Sequence, residues 1–346
     1  MKKILFLLIG LSILASCTNA DYEPTSPEVS PVEETLLLAT QGFPGYPEMI
    51  YDLQGDTVYQ CVDAECHILS LKAEGRNWYA LLNNGNGTYS VVKNGATALT
   101  TDATIFCMKV ENGIVFTVQE NKADNTLWVY RDSERLYELD RNVNYNTFFV
   151  QNGNITFTVN AEKPYTWWNG RTYSFEALDE GFGYTYEMDK NGLDILILYQ
   201  DYRTEANKYY WNGAVYDLPD TFIPSACRLV NGHAFIMGRD KTTSGVGSSR
   251  FGVPAVFIDG VETVLSDMLG LKAVQVVSQG IDTFILVKYA DGGISRSMIY
   301  KNLQYLALPN IIVIPEDLRK YYTQYGTAMN LGDLGITDIA MMDNAD

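Results

Sequence analysis

Two stretches of this chain carry the side chains best suited to gripping a ligand. One is Gln200-Asp201-Tyr202-Arg203; the other runs from Gly238-Arg239-Asp240-Lys241 through Ser248-Ser249-Arg250-Phe251. The second places three cations close together in a chain whose formal charge is −17. Arginine offers a planar fork of donors that fits carboxylates and phosphates, and tyrosine adds a flat ring with a hydroxyl at its tip. Asp201, Tyr202, Arg203, Arg239, Asp240, Lys241 and Arg250 are therefore a candidate site for an anionic or sugar-like ligand. The competing reading is a pair of solvated surface loops. A second set recurs once in about every 40 residues: Asp102, Asp140, Asp179, Asp220 and Asp267, with Asn310 in the same series. A ring of such carboxylates would suit a hard cation such as Ca²⁺. The structural alternative is a series of Asx turns satisfying backbone amides. Ca²⁺ is the one cofactor these residues suggest; otherwise none is expected.

Other chemistries find less support. The two histidines, His67 and His233, fall in no Ser-His-Asp order, and no nucleophile elbow is present. Gly245-Val246-Gly247-Ser248-Ser249-Arg250 opens like a dinucleotide fingerprint but lacks the third glycine and the alternating strands and helices around it. Forty-two acids leave carboxylate-pair hydrolysis open, because spacing along the chain does not fix their separation in space. Cys61 and Cys66, in CVDAEC, could close a small disulfide loop in an oxidising compartment. No zinc-type spacing accompanies them. Cys107 and Cys227 sit in strand-like runs and read as small buried apolar groups.

The elements that must position these residues announce themselves by a repeat of about 40 residues. Tight turns recur at Gln54-Gly55, Asn94-Gly95, Asp132-Ser133, Asn169-Gly170, Asn212-Gly213, Asp259-Gly260 and Asn302-Leu303. A second series precedes them: Glu74-Gly75, Asn112-Gly113, Asn152-Gly153, Asn191-Gly192, Asn231-Gly232 and Gln279-Gly280. Two hairpins per period, flanked by Val-, Ile-, Tyr- and Trp-rich runs, are the signature of β-propeller blades. Six full units parse as 67–102, 104–140, 141–179, 180–220, 221–267 and 268–309. Residues 35–60 hold an incomplete set, which a strand from the tail, with Ile311-Ile312-Val313-Ile314 as the candidate, would complete. The predicted fold is all-β, a propeller of seven four-stranded blades closed by N- and C-terminal strands, with six blades as the alternative. The short Asn-Gly turns share one face. The variable second-to-third-strand loops share the other, and that loop face is where function is expected. Trp128-Val129-Tyr130, Trp167-Trp168 and Tyr209-Tyr210-Trp211 recur at the third strand and read as packing between blades, or else as a stacking platform for sugars.

At the N-terminus, Met1-Lys2-Lys3 precedes an apolar run from Ile4 to Leu14 and then Leu14-Ala15-Ser16-Cys17. A short basic region, a stretch too short to span a bilayer and small residues at the end make a secretory signal. The Leu-Ala-Ser-Cys run resembles a bacterial lipobox. That resemblance implies cleavage before Cys17, acylation of Cys17 and lasting attachment to a membrane. Thr18 rather than Asp at the next position implies the outer membrane, with the domain facing the periplasm or the cell surface. The expected organisation is a signal at 1–16, a lipidated cysteine and Pro-rich tether at 17–34 and the propeller at 35–346. Removing 1–16 takes away Lys2 and Lys3 and no acid, moving the charge from −17 to −19. Such a charge argues against nucleic acid. The expected function is that of a monomeric, lipid-anchored binding or interaction module for a glycan or protein ligand. The alternative is an envelope glycoside hydrolase or lyase.

Overall fold

The computed structural model describes residues 35–40, 47–63, 65–159, 165–168, 171–173, 182–191, 193–241, 252–267, 270–289, 297–307 and 336–342. Residues 34–344 make one compact unit. The leader, Cys17 and the tether lie outside the described residues, as do Asp179, Arg250, Asn310 and Ile311–Ile314. Among the described residues, no helix is long and apolar enough to cross a membrane.

Seven four-stranded antiparallel sheets are present, and they are the expected blades. Blade 1 takes Thr35–Thr40, Met49–Tyr51 and Thr57–Gln60 from the N-terminal side. Blades 2 to 7 follow in order as 67–101, 104–139, 143–173, 182–217, 222–264 and 271–306. The strand that completes blade 1 is Ile336–Met342, paired antiparallel with Thr35–Thr40 in the register Leu38 opposite Ile339. It occupies the innermost place of its sheet. The seven innermost strands touch in a closed cycle, Ile336–Met342 lying between Leu271–Gln279 of blade 7 and His67–Glu74 of blade 2. This closure pairs Thr35–Thr40 on both sides, so blade 1, like the others, keeps only short edges at its innermost and outermost strands.

The Asn and Asp residues of the tight turns do two jobs. Asn94, Asp132, Asn212, Asp259 and Asn302 all adopt positive φ, between 47° and 52°, as a two-residue hairpin of matching twist requires. Each also grips the start of the second strand of its own blade. The Trp78 amide donates to Asn94 Oδ1 at 2.9 Å, Val115 to Asp132 at 3.0 Å, Ile195 to Asn212 at 3.0 Å, Ala234 to Asp259 at 2.9 Å and Thr283 to Asn302 at 2.9 Å. On the same face, carboxylates clamp blade 2 to blade 3 and blade 3 to blade 4. Glu74 accepts the Asn112 and Gly113 amides, each at 2.6 Å, and Glu111 accepts those of Asn152 and Gly153.

Burial is concentrated between blades. Phe116, Val118 and Val129 of blade 3 pack on Val143, Phe148 and Phe157 of blade 4, and Phe148 stacks on Phe157 with ring centres 4.9 Å apart. Leu36, Leu38 and Ile339 of blade 1 pack on Phe284, Leu286 and Ile299 of blade 7. The inner strands carry a recurrent bulge, at Ile68/Ser70, Ile105/Cys107, Pro224/Ala226 and Ala273/Gln275. The extra residue sharpens the local twist. Opposite the bulge of blade 6 only glycine fits: a Cβ on Gly238 would lie 2.3 Å from the Ile223 carbonyl oxygen. Cys227 is fully buried and Cys107 partly so, in keeping with their reading as apolar groups.

Candidate functional site

On the loop face, the connection between Asp194–Asp201 and Asn207–Trp211 of blade 5 is built around one buried carboxylate. Asp201 accepts the Arg203 amide at 2.9 Å and the Thr204 amide at 3.3 Å, and pairs with the Lys208 ammonium at 3.0 Å. The backbone closes the loop at its base, with Asp201 N–H to the Ala206 carbonyl at 2.9 Å and Glu205 N–H to the Asp201 carbonyl at 2.8 Å. Glu205 sits at φ 59° to make this turn, and Gln200 Nε2 ties its carbonyl from the side at 3.1 Å. Lys208 also reaches Asp217 at 3.4 Å. Burial pushes the Asp201 carboxyl up, but the Arg203 amide, Lys208 and the Thr204 amide together outweigh it and hold it below its usual range. The Asp201 hydrogen bond in turn raises Lys208. At the tip of this braced loop, Tyr202 is 64% exposed and Arg203 is exposed beside it.

Asp240 is the counterpart of Asp201 in blade 6, buried at the end of His233–Asp240. Arg239 faces Pro254 across the strand pair, and the Lys241 amide donates to the Thr221 carbonyl at 2.9 Å. Blades 5 and 6 are neighbours in the ring, so Asp201 and Asp240 end adjacent second strands on the same face. Of the residues expected to form the site, Tyr202 and Arg203 are displayed, Arg239 and Lys241 are half-buried, and Asp201 is taken up by its own loop.

The recurrent Asp series falls in the links between blades. Asp140 Oδ1 accepts the Asn142 amide at 2.9 Å, an Asx turn. Asp102, Asp220 and Asp267 are exposed. Among the described residues, no three His, Cys, Asp or Glu side chains group as a metal site would require. Cys61 and Cys66 are both buried, with sulfurs 2.8 Å apart as a thiol pair. The hydrogen bond between them raises the Cys61 thiol and lowers that of Cys66. Beside them the buried Glu48 accepts from the Ile68 amide at 2.5 Å and meets His67 Nδ1 at 2.9 Å.

Sequence reasoning missed the charges on the inner strands. Lys72, Lys109, Asp189 and Arg228 each stand two residues before the end of their strand. A charge repeating at one place in otherwise apolar runs was the available signal. The acids are bound up with the backbone. Glu187 receives the Cys227 amide at 2.8 Å and pairs with Arg228; Asp189 receives the Leu229 amide at 2.7 Å. Asp338 receives the Leu71 amide at 2.6 Å. Gln275 bonds both ways to Ile339 of the closing strand, donating at 2.8 Å and accepting at 3.3 Å.

No protein-family model matches the sequence, and no curated protein does. Solved structures do match. The β-propeller domain of the Trilobed protease from Pyrococcus furiosus aligns over 82% of this chain and 96% of that one, at 13% identity and a TM-score of 0.56. An acylaminoacyl peptidase from Pyrococcus horikoshii aligns over 85% of this chain and 52% of its own length, at 12% identity and a TM-score of 0.54. The chain therefore spans about half of that peptidase. A quinonprotein alcohol dehydrogenase-like protein from Bacteroides thetaiotaomicron aligns over 79% of this chain and 75% of that one, at 8% identity and a TM-score of 0.49. At these identities the likeness is one of fold alone, and the first of these neighbours is itself a β-propeller domain.

Proposed function

We propose that this protein is a lipid-anchored binding module of the bacterial cell envelope, held in the outer membrane by acylated Cys17. It engages a glycan or protein ligand through the loop face of blades 5 and 6. The observation that carries this reading is the braced loop at 200–207. A buried carboxylate, an ion pair and closing backbone bonds are spent on holding Tyr202 and Arg203 outward. A loop ordered before binding loses little entropy on meeting its ligand. An exposed aromatic ring beside a guanidinium suits sugar faces, carboxylates and peptide carbonyls alike. The lipobox-like leader and the acidic charge both fit an envelope location.

The test is a glycan array, together with pull-down from solubilised envelopes, comparing the wild type with Tyr202→Ala/Arg203→Ala. Both side chains are exposed, so the melting temperature should stay within about 1 °C while the bound signal is lost. Equal binding by wild type and variant would refute the assignment of the site.

A further inference from the structure

We propose that the tight-turn end of the central channel is a second binding site, for a small ligand bearing a phosphate or carboxylate group, held by Lys72, Lys109 and Arg228. A cavity of about 300 Å³ opens there, walled by the last turns of the inner strands and including these three cations with Gln275 and Ser278. It lies at the opposite end of the ring from the loop face, so it does not depend on the reading given above.

The charge pattern is what singles it out. Three basic side chains from blades 2, 3 and 6 converge in a chain of net charge −17. The acids nearby are already committed. Glu187 and Asp189 hold backbone amides of blade 6, and Glu187 also pairs with Arg228. Asp338 holds the Leu71 amide, while Glu74 and Glu111 hold the turn amides of the following blades. Among the described residues, the ammonium groups of Lys72 and Lys109 make no ion pair or hydrogen bond, the two residues being tied only through the backbone ladders of their strands. Their ammonium groups repel one another and Arg228. Burial, then Arg228 and Lys72, bring Lys109 down to about 8 against the pull of Asp189 and Glu187. Like charges brought together without partners cost stability, and an oxyanion between them would relieve that cost. Arg228, its fork partly engaged by Glu187, supplies a fixed donor. The lysines, compact and mobile, close on the anion.

The experiment is lysine acetylation of the full chain at pH 8, read by mass spectrometry, with phosphate, with succinate or with chloride at equal ionic strength. At an anion concentration ten times its Kd, acetylation of Lys72 and Lys109 should slow roughly tenfold, while exposed Lys122 is unaffected. Protection by phosphate alone names a phosphorylated ligand, and protection by succinate alone names a carboxylate. Calorimetry on Lys72→Gln/Lys109→Gln should then show the same anion bound at least tenfold more weakly. Equal rates in all three salts, or equal slowing at Lys122, would overturn the proposal. The labelling result stands even where the variant fails to fold.

Discussion

Replacing Ile339 with alanine tests whether the strand Ile336–Met342 closes the ring. Ile339 is 0% exposed and packs with Leu36 and Leu38 of its own blade and Phe284, Leu286 and Ile299 of blade 7. The change removes three carbons from a contact clamped on both sides. Thr35–Thr40 pairs along one edge of the strand, and Gln275 binds residue 339 from the other. The walls have little freedom to collapse into the void, which puts the loss at about 3–4 kcal/mol within the range for large-to-small changes. With an unfolding entropy of about 2.1 cal/mol/K per residue over roughly 300 residues, the melting temperature should fall by about 5–6 °C. Circular dichroism during heating reads this directly. Leu193→Ala is the control, because Leu193 is 96% exposed on a tight turn and should shift the midpoint by less than about 1 °C. If the two variants melted together, Ile339 would not be at the seam between the ends of the chain.

Glu74→Ala should cost about 1–2 kcal/mol by releasing the Asn112 and Gly113 amides, with water making up part of the loss; denaturant unfolding measures it, and no change would remove the clamp. Gly238→Ala should cost more than about 2 kcal/mol, because the new methyl meets a carbonyl oxygen across the bulge; a variant as stable as wild type would contradict that contact. Lys109→Met should change the pH profile of stability. The folded Lys109 loses its proton near pH 8, whereas the ordinary lysine value is 10.5, so the unfolded chain holds more protons in that window and wild-type stability gains as pH rises through it. The variant should lack that gain when melting curves are compared from pH 7 to 10. An unaltered difference across the window would refute the depressed value.

Much of the architecture was legible because propeller blades repeat their punctuation. The Asn-Gly and Asp-Ser turns must supply positive φ, and only a few residue types do so cheaply. That fixed the hairpins, and with them the blade boundaries, to within a few residues. The closing strand was harder. Ile311–Ile314 is the more apolar run, yet the ring is completed by Ile336–Met342, whose Thr337 and Asp338 interrupt its pattern. Asp338 is there to hold the Leu71 amide of the next blade, a long-range demand that no local pattern reports. The same holds for Asp201. Its residue type suggested contact with a ligand, while its burial and its bonds show it bracing Tyr202 and Arg203. The clustering of Lys72, Lys109 and Arg228 needed the ring itself, since they come from three blades separated by up to 156 positions in sequence.

The most direct test of function is site-specific photocrosslinking in intact envelopes, with a photoreactive residue placed at Tyr202 in one strain and at Leu193 in another. Both positions are exposed, and they lie on opposite faces of the ring. A discrete adduct from position 202, with none from 193, is the expected result for a ligand bound at the loops of blades 5 and 6. Adducts from 193 alone, or none from 202, would contradict it.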